Sequence, residues 1–182
     1  MKTTHNIYTG AAQRMREIQD NSVELVVTSP PYPMIEMWDE ILSRQNRKIA
    51  NALKEGQPDV AFELMHQELD KVWDEVTRVL IPGGIVCVNI GDATRTFNGN
   101  FALYSNHSRI INYFISHGYV NLPNIIWRKQ TNAPNKFMGS GMLPAGAYVT
   151  LEHEWILIFR KGGKREFKSA IDKQKRRESS FF

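Results

Sequence analysis

With 182 residues, a net charge of +4, 42% hydrophobic residues and a single cysteine, the chain is long enough for one domain with a sizeable core and has no intrachain disulfide framework. No continuous apolar run reaches the length of a membrane span, and Met1-Lys2-Thr3-Thr4-His5 lacks the apolar stretch of a secretory leader, so a cytoplasmic protein is expected. The charge is uneven: residues 164–177 carry a local balance of +5 and the rest is near −1. Such a segment either neutralises phosphates or forms a solvated tail.

In chain order, Met15 and Ile18 predict a short amphipathic helix over 11–18. Val23-Glu24-Leu25-Val26-Val27 reads as a buried strand. Trp38, Ile41, Leu42, Ile49 and Leu53 predict one helix over 37–53, closed by Gly56-Gln57-Pro58. The stripe Leu64, Met65, Leu69, Val72, Trp73, Val76 and Leu80 predicts a longer helix over 60–80, stopped by Pro82-Gly83-Gly84. Residues 85–90 form an apolar strand expected to be covered on both faces, with Cys87 in the core. Ile110, Ile111, Phe114 and Ile115 predict a helix over 103–117, and 120–128 reads as a strand with Trp127 inward. Residues 129–148 have no apolar period, and loops of that length are usually functional or disordered. Residues 154–160 form the last strand. The order predicts an α/β fold with a mostly parallel sheet, whose final pair, joined without a crossover helix, is antiparallel.

Thr28-Ser29-Pro30-Pro31-Tyr32 closes the first strand. Two prolines remove two backbone donors and fix φ at both positions, and Pro30 holds Ser29 out of the helical region. A small hydroxyl, a carbonyl kept out of any ladder and an aromatic ring are thereby presented at a strand's C-terminal end. Open α/β sheets bind ligands at that edge.

Ser29-Pro30-Pro31-Tyr32 resembles the catalytic motif of the beta-class DNA amino-methyltransferases, which modify exocyclic nitrogens of DNA bases. The lead-in Thr28-Ser29, in place of an acidic residue, is most similar to the cytosine-N4 branch. Further blocks match in order: Asn21 to Val27 resembles the lead-in strand, Leu80 to Asp92 the next helix end, turn and strand, and Ile126 to Lys129 and His153 to Lys161 the last two strands. The resemblance implies part of a Rossmann-like methyltransferase sheet dependent on S-adenosyl-L-methionine, acting on double-stranded DNA in a restriction–modification or phage system. Residues 1–163 would be the catalytic half, and 164–182 a basic segment cut short relative to the family.

The resemblance also assigns roles. Ser29 and the Pro30 carbonyl would accept the two hydrogens of the target amino group, Pro31 would stiffen the loop, and Tyr32 would stack on a flipped base. Asp20, Thr28 and Asp92 fall in the cofactor region; a turn, a β-branched strand end and a loop cap are their alternative roles. Lys129, Asn132, Asn135 and Lys136 suit contacts to phosphates and base edges. His66, His107, His117 and His153 lack metal-ligand spacing, so no metal site is expected. The family's Phe-x-Gly-x-Gly cofactor turn does not occur in the sequence. The first strand is apolar on both faces with one nameable neighbour, 85–90, so a complementing chain or self-association through its open edge is expected. Other acceptors, adenine N6 or an RNA base, and a non-catalytic nucleic-acid-binding remnant are the competing readings.

Overall fold

A computed structural model describes residues 3–129, 151–166 and 169–179. Strand β1 (Val23–Thr28) runs parallel to β2 (Leu80–Ile90), with Leu25 opposite Ile85 and Val27 opposite Cys87. Between them come helices α1 (Asp39–Gln45), α2 (Arg47–Lys54) and α3 (Pro58–Val79). A hairpin, β3 (Ala93–Phe97) and β4 (Asn100–Tyr104), then leads into α4 (Asn106–Ser116). Short strands β5 (Tyr119–Asn121) and β6 (Ile125–Arg128) follow, and β7 (His153–Lys161) returns beside β2; α5 (Ala170–Ser179) comes last.

The sheet order is β1-β2-β7, with β5 and β6 end to end along the far side of β7. It is a mixed sheet rather than a mostly parallel one. The expected antiparallel β6–β7 pair is present, but β7 also lies between β2 and β5, so every pairing it makes is antiparallel and β1–β2 is the parallel pair. Among the described residues β1 has one neighbour and forms an edge.

Paired residues share a face of a sheet. Val86, Val88, Ile90, Leu157 and Phe159 turn toward α3 and α4 and are buried with Leu69, Trp73, Val76, Ile110 and Phe114. The opposite face presents Leu25, Val27, Ile85, Cys87, Ile156 and Ile158; Leu25 is 56% and Val27 72% exposed. The expectation that 85–90 is covered on both faces therefore fails for the described residues. Cys87 lies on the open side, half-buried, rather than in the core. Trp127, expected inward, is 48% exposed because β6 is an outer strand.

A second cluster holds Met34, Leu42, Ile49, Ala61, Met65, Ala93 and Tyr104, where α1, α2 and the first half of α3 receive the hairpin. Arg95 binds Asp39 bidentately at 2.9 and 2.6 Å, fixing the hairpin to α1. Asn98 and Gly99, at φ 49° and 78°, form its turn. The predicted helix over 103–117 thus begins only at Asn106, because its first residues pair in β4.

Other departures are local. Residues 11–18 make successive turns, such as Arg14 N–H to the Ala11 carbonyl at 3.0 Å, instead of a helix. The single helix expected over 37–53 breaks at Asn46, which leaves helical geometry (φ −145°) and accepts from Lys48 N–H to cap α2. Leu80 turns extended and ends α3. Pro82-Gly83-Gly84 then lies inside β2 as a bulge: from Val23 to Leu25 β1 advances two residues while β2 advances from Leu80 to Ile85. Pro123 divides 120–128 into β5 and β6, and the Asn124 side chain accepts the Ile158 N–H there at 3.2 Å. No helix among the described residues is long and apolar enough to cross a membrane.

The two faces should respond differently to truncation. Leu157→Ala, at a fully buried position, should cost about 2–5 kcal/mol, whereas Val27→Ala should change stability by no more than about 0.5 kcal/mol. Urea unfolding of the two variants checks this, and equal losses would show Val27 to be covered.

Candidate active site

The loop after β1 and the first residues of β7 converge on the C-terminal end of β2. Ser29 is exposed and its Oγ lies 3.2 Å from the Tyr32 hydroxyl. Tyr32 OH donates to Glu154 Oε2 at 3.1 Å, and Asn89 Nδ2 donates to both Tyr32 OH (2.8 Å) and Glu154 Oε2 (2.7 Å). Lys129 Nζ stands 3.2 Å from Glu154 Oε1 and 3.8 Å from the centre of the Trp127 ring. Antiparallel pairing brings Glu154 here, since β7 starts where β2 ends.

Gly91 gives the Tyr32 ring its seat. A Cβ at position 91 would come within 3.0 Å of Tyr32 Cε2 and 3.4 Å of Glu154 Cγ, too close for any side chain without displacing the ring. Burial, together with the charge of Glu154, holds the Tyr32 phenol above its usual range. Burial also pushes the Glu154 carboxyl up, but hydrogen bonds from Asn89, Lys129 and Tyr32 outweigh it and keep the group below the ordinary carboxylate range.

Behind this cluster is a buried polar tie. Asn106, fully buried, donates from Nδ2 to the Pro33 carbonyl (3.0 Å) and the Gly91 carbonyl (2.9 Å), so one amide joins the loops that follow β1 and β2. Its Oδ1 lies 3.0 Å from His66 Nε2, which must carry the proton because an amide oxygen only accepts. His66 Nδ1 is left buried without a partner. Burial lowers the His66 pKa to about 4 against the smaller opposing pull of the Asn106 hydrogen bond, so the ring is neutral at physiological pH.

The residues expected at the cofactor do not join the Ser29 cluster. Asp20 precedes β1 and pairs with Arg78 at 2.5 Å, separated from Ser29 by a strand of about 20 Å. Thr28 pairs with Val88 and so stands on the helical face. Asp92 is buried and accepts from His107 N–H (3.1 Å) and lies 2.6 Å from His107 Nδ1, capping α4. Of the residues expected at DNA, Lys129 joins the cluster; Asn132, Asn135 and Lys136 lie outside the described residues. The sequence reading missed Asn89, Gly91, Glu154, Asn106 and His66. A signal for Glu154 was present: it is the acid directly before the apolar run 155–159, at the end of the strand that antiparallel pairing brings to the motif edge.

Comparison with known proteins gives concordant results. The model of a DNA methylase family matches residues 23–180. The chain is 56% identical over 183 residues to the Type II methyltransferase M.MthZI of Methanothermobacter thermautotrophicus and 54% identical over 177 residues to M.MjaI of Methanocaldococcus jannaschii. These matches cover 100% and 91% of the chain but 52% and 58% of the relatives, so the chain spans about half the length of the curated relatives it matches. Among solved structures, a putative DNA modification methylase from Thermus thermophilus, complexed with S-adenosyl-L-methionine, superimposes with a TM-score of 0.68 at 30% identity, over 95% of this chain and 60% of that one. The cytosine-N4-specific PvuII DNA methyltransferase shares the fold, with a TM-score of 0.52 at 17% identity over 87% of this chain and 50% of that one.

The buried histidine makes stability depend on pH. As pH falls from 6.5 to about 4, the unfolded chain binds a proton at His66 that the folded chain refuses. This should remove about 3 kcal/mol of stability by pH 4. His66→Gln should abolish that part of the loss. Unfolding free energies at pH 7 and pH 4 for both proteins test it, and parallel losses would place the titration elsewhere.

Proposed function

The chain belongs to the DNA methylase family, and from that premise we propose that it carries the acceptor half of an amino-methyltransferase. The reaction moves a methyl group from S-adenosyl-L-methionine to an exocyclic amino group of double-stranded DNA, with cytosine N4 as the favoured acceptor. One observation carries the reading: Ser29 stands exposed at the end of β1, directly before a Pro30 carbonyl that makes no hydrogen bond among the described residues. The serine-first form of the motif supports cytosine N4 over adenine N6.

The lone pair of an exocyclic amino nitrogen is delocalised into its ring, which makes it a poor nucleophile. Accepting both amino hydrogens favours a pyramidal nitrogen whose lone pair points out of the ring plane. Ser29 Oγ accepts one hydrogen and the Pro30 carbonyl the other, at a spacing fixed by the prolines. The Tyr32 ring, seated on Gly91, supplies the surface on which an extruded base stacks. Alignment of nitrogen and methyl carbon then carries much of the rate.

When bound, S-adenosyl-L-methionine would supply a methyl group on a sulfonium and leave as a neutral thioether, and the methylated nitrogen, which takes on the positive charge, would shed one of its hydrogens as a proton to water. The solved relative complexed with it supports this cofactor. Asp20, Thr28 and Asp92 remain assigned to its region, with Asp20 exposed beside Arg78 and Asp92 held by His107. The acceptor chemistry derived from Ser29, Pro30 and Tyr32 is independent of its pose. The exposed edge and face of β1 support a further element of the reading: a complementing chain, or a second copy, pairs there. Asn132, Asn135, Lys136 and the basic helix α5 are assigned to DNA contact on charge and position.

Three experiments test this. Mixed-sequence DNA is incubated with cofactor and this chain, alone and joined to the remaining part that its relatives carry, and the nucleosides are analysed by mass spectrometry. N4-methylcytosine is expected; N6-methyladenine would correct the acceptor, and no methylated base from the joined protein would sink the reading. Ser29→Ala should slow single-turnover methylation about 100-fold or more while leaving the fold intact. For the edge, Val27→Arg should abolish association of the chain with its completing part, measured by sedimentation, with little effect on its own unfolding.

A further inference from the structure

The hydrogen bonds around Tyr32 fix their own direction. Glu154, ionised beside Lys129, can only accept. Asn89 must therefore turn Nδ2 toward it, because the reversed amide would set two acceptors 2.7 Å apart. The second Nδ2 hydrogen goes to the Tyr32 oxygen. Tyr32 has one proton, and it goes to Glu154 Oε2. None is left for Ser29, so the 3.2 Å contact between Ser29 Oγ and Tyr32 OH is made with the serine proton. Ser29 then shows lone pairs alone to anything that approaches.

We propose that Glu154, through Tyr32, is a specificity-determining positioning residue that locks Ser29 as a hydrogen-bond acceptor, so that the site takes a base bearing an amino group and refuses its keto counterpart. The inference rests on the reading of Ser29 as the contact to the target base. An amino group offers hydrogens to the serine lone pairs, whereas a carbonyl oxygen at the same place would face them with lone pairs of its own. Asn89 and Lys129 serve the same polarity from either side of the carboxylate. The raised phenol and lowered carboxyl pKa values of Tyr32 and Glu154 keep the Tyr32 proton where this scheme needs it.

Glu154→Gln discriminates this role from simple support. Lys129 has no acceptor, so it draws the glutamine oxygen toward itself and leaves the amide nitrogen facing Tyr32. Asn89 then turns its Oδ1 to that nitrogen, since two donors cannot face each other at 2.7 Å. Tyr32 accepts from Gln and shares its proton between Asn89 Oδ1 and Ser29, so Ser29 is no longer held as an acceptor alone. The lock is released without changing the shape of the cluster.

The test uses the joined protein, at the methylated position that mass spectrometry and sequencing identify. Binding is measured for duplexes carrying either the amino base or its keto counterpart, uracil for cytosine or hypoxanthine for adenine. The wild type should prefer the amino duplex about tenfold or more, the value of one well-made hydrogen bond. Tyr32→Phe should reduce that preference to near unity, and Glu154→Gln should raise affinity for the keto duplex itself. A structural defect would weaken both duplexes together. If wild type, Glu154→Gln and Tyr32→Phe share one amino-to-keto ratio, the polarity mechanism is overturned while the functional reading stands. If the wild-type joined protein methylates no base, the functional reading falls and this inference falls with it.

Discussion

Two hydrogen bonds from one buried amide set the geometry of the edge that carries Ser29. Asn106 reaches the carbonyl of Pro33, just past the Ser-Pro-Pro-Tyr turn, and that of Gly91, just past β2. Neither loop has a ladder partner at those points, and a buried carbonyl without a partner costs on the order of 1–3 kcal/mol. The amide satisfies both and so fixes the distance between the segments that carry Ser29, Tyr32 and Asp92. His66 in turn holds the amide in the orientation that gives both hydrogens to the carbonyls. Its own orphaned nitrogen is the cost of placing a histidine there.

The polar cluster in front of this tie belongs to a different face of the sheet. Asn89 and Glu154 lie on the side of Leu25 and Val27, and Thr28 on the helical side. Alternation along β2 therefore divides the work between the two sides. Even-numbered residues from Val86 to Ile90 pack the core, and Asn89 between them carries the site.

Much of this was legible in the sequence, and the failures have physical causes. The Pro-Pro turn marks its own position because proline geometry is local. The long stripe of α3 reads correctly because 22 residues average out propensity. The hairpin was missed although Asn98-Gly99 is a strong turn signal, because Leu103, Ile110 and Phe114 kept helical spacing across the boundary. Coverage of β1 and β2 was overestimated because apolar composition reports a capacity for burial, not the partner that fulfils it. Asn89 and Asn106 were invisible for another reason. Their roles come from the insertion of β7 beside β2 and from the return of α4 behind it, and no local pattern encodes either.

Helix α3 has a mechanical consequence. It is about 33 Å long, with its first half clamped by α1, α2 and the hairpin and its second half bedded in the sheet. A beam held at both ends does not let its two supports rotate against each other. The hairpin therefore behaves as a fixed outrigger, and a load applied to it is passed along α3 into the sheet that carries Ser29.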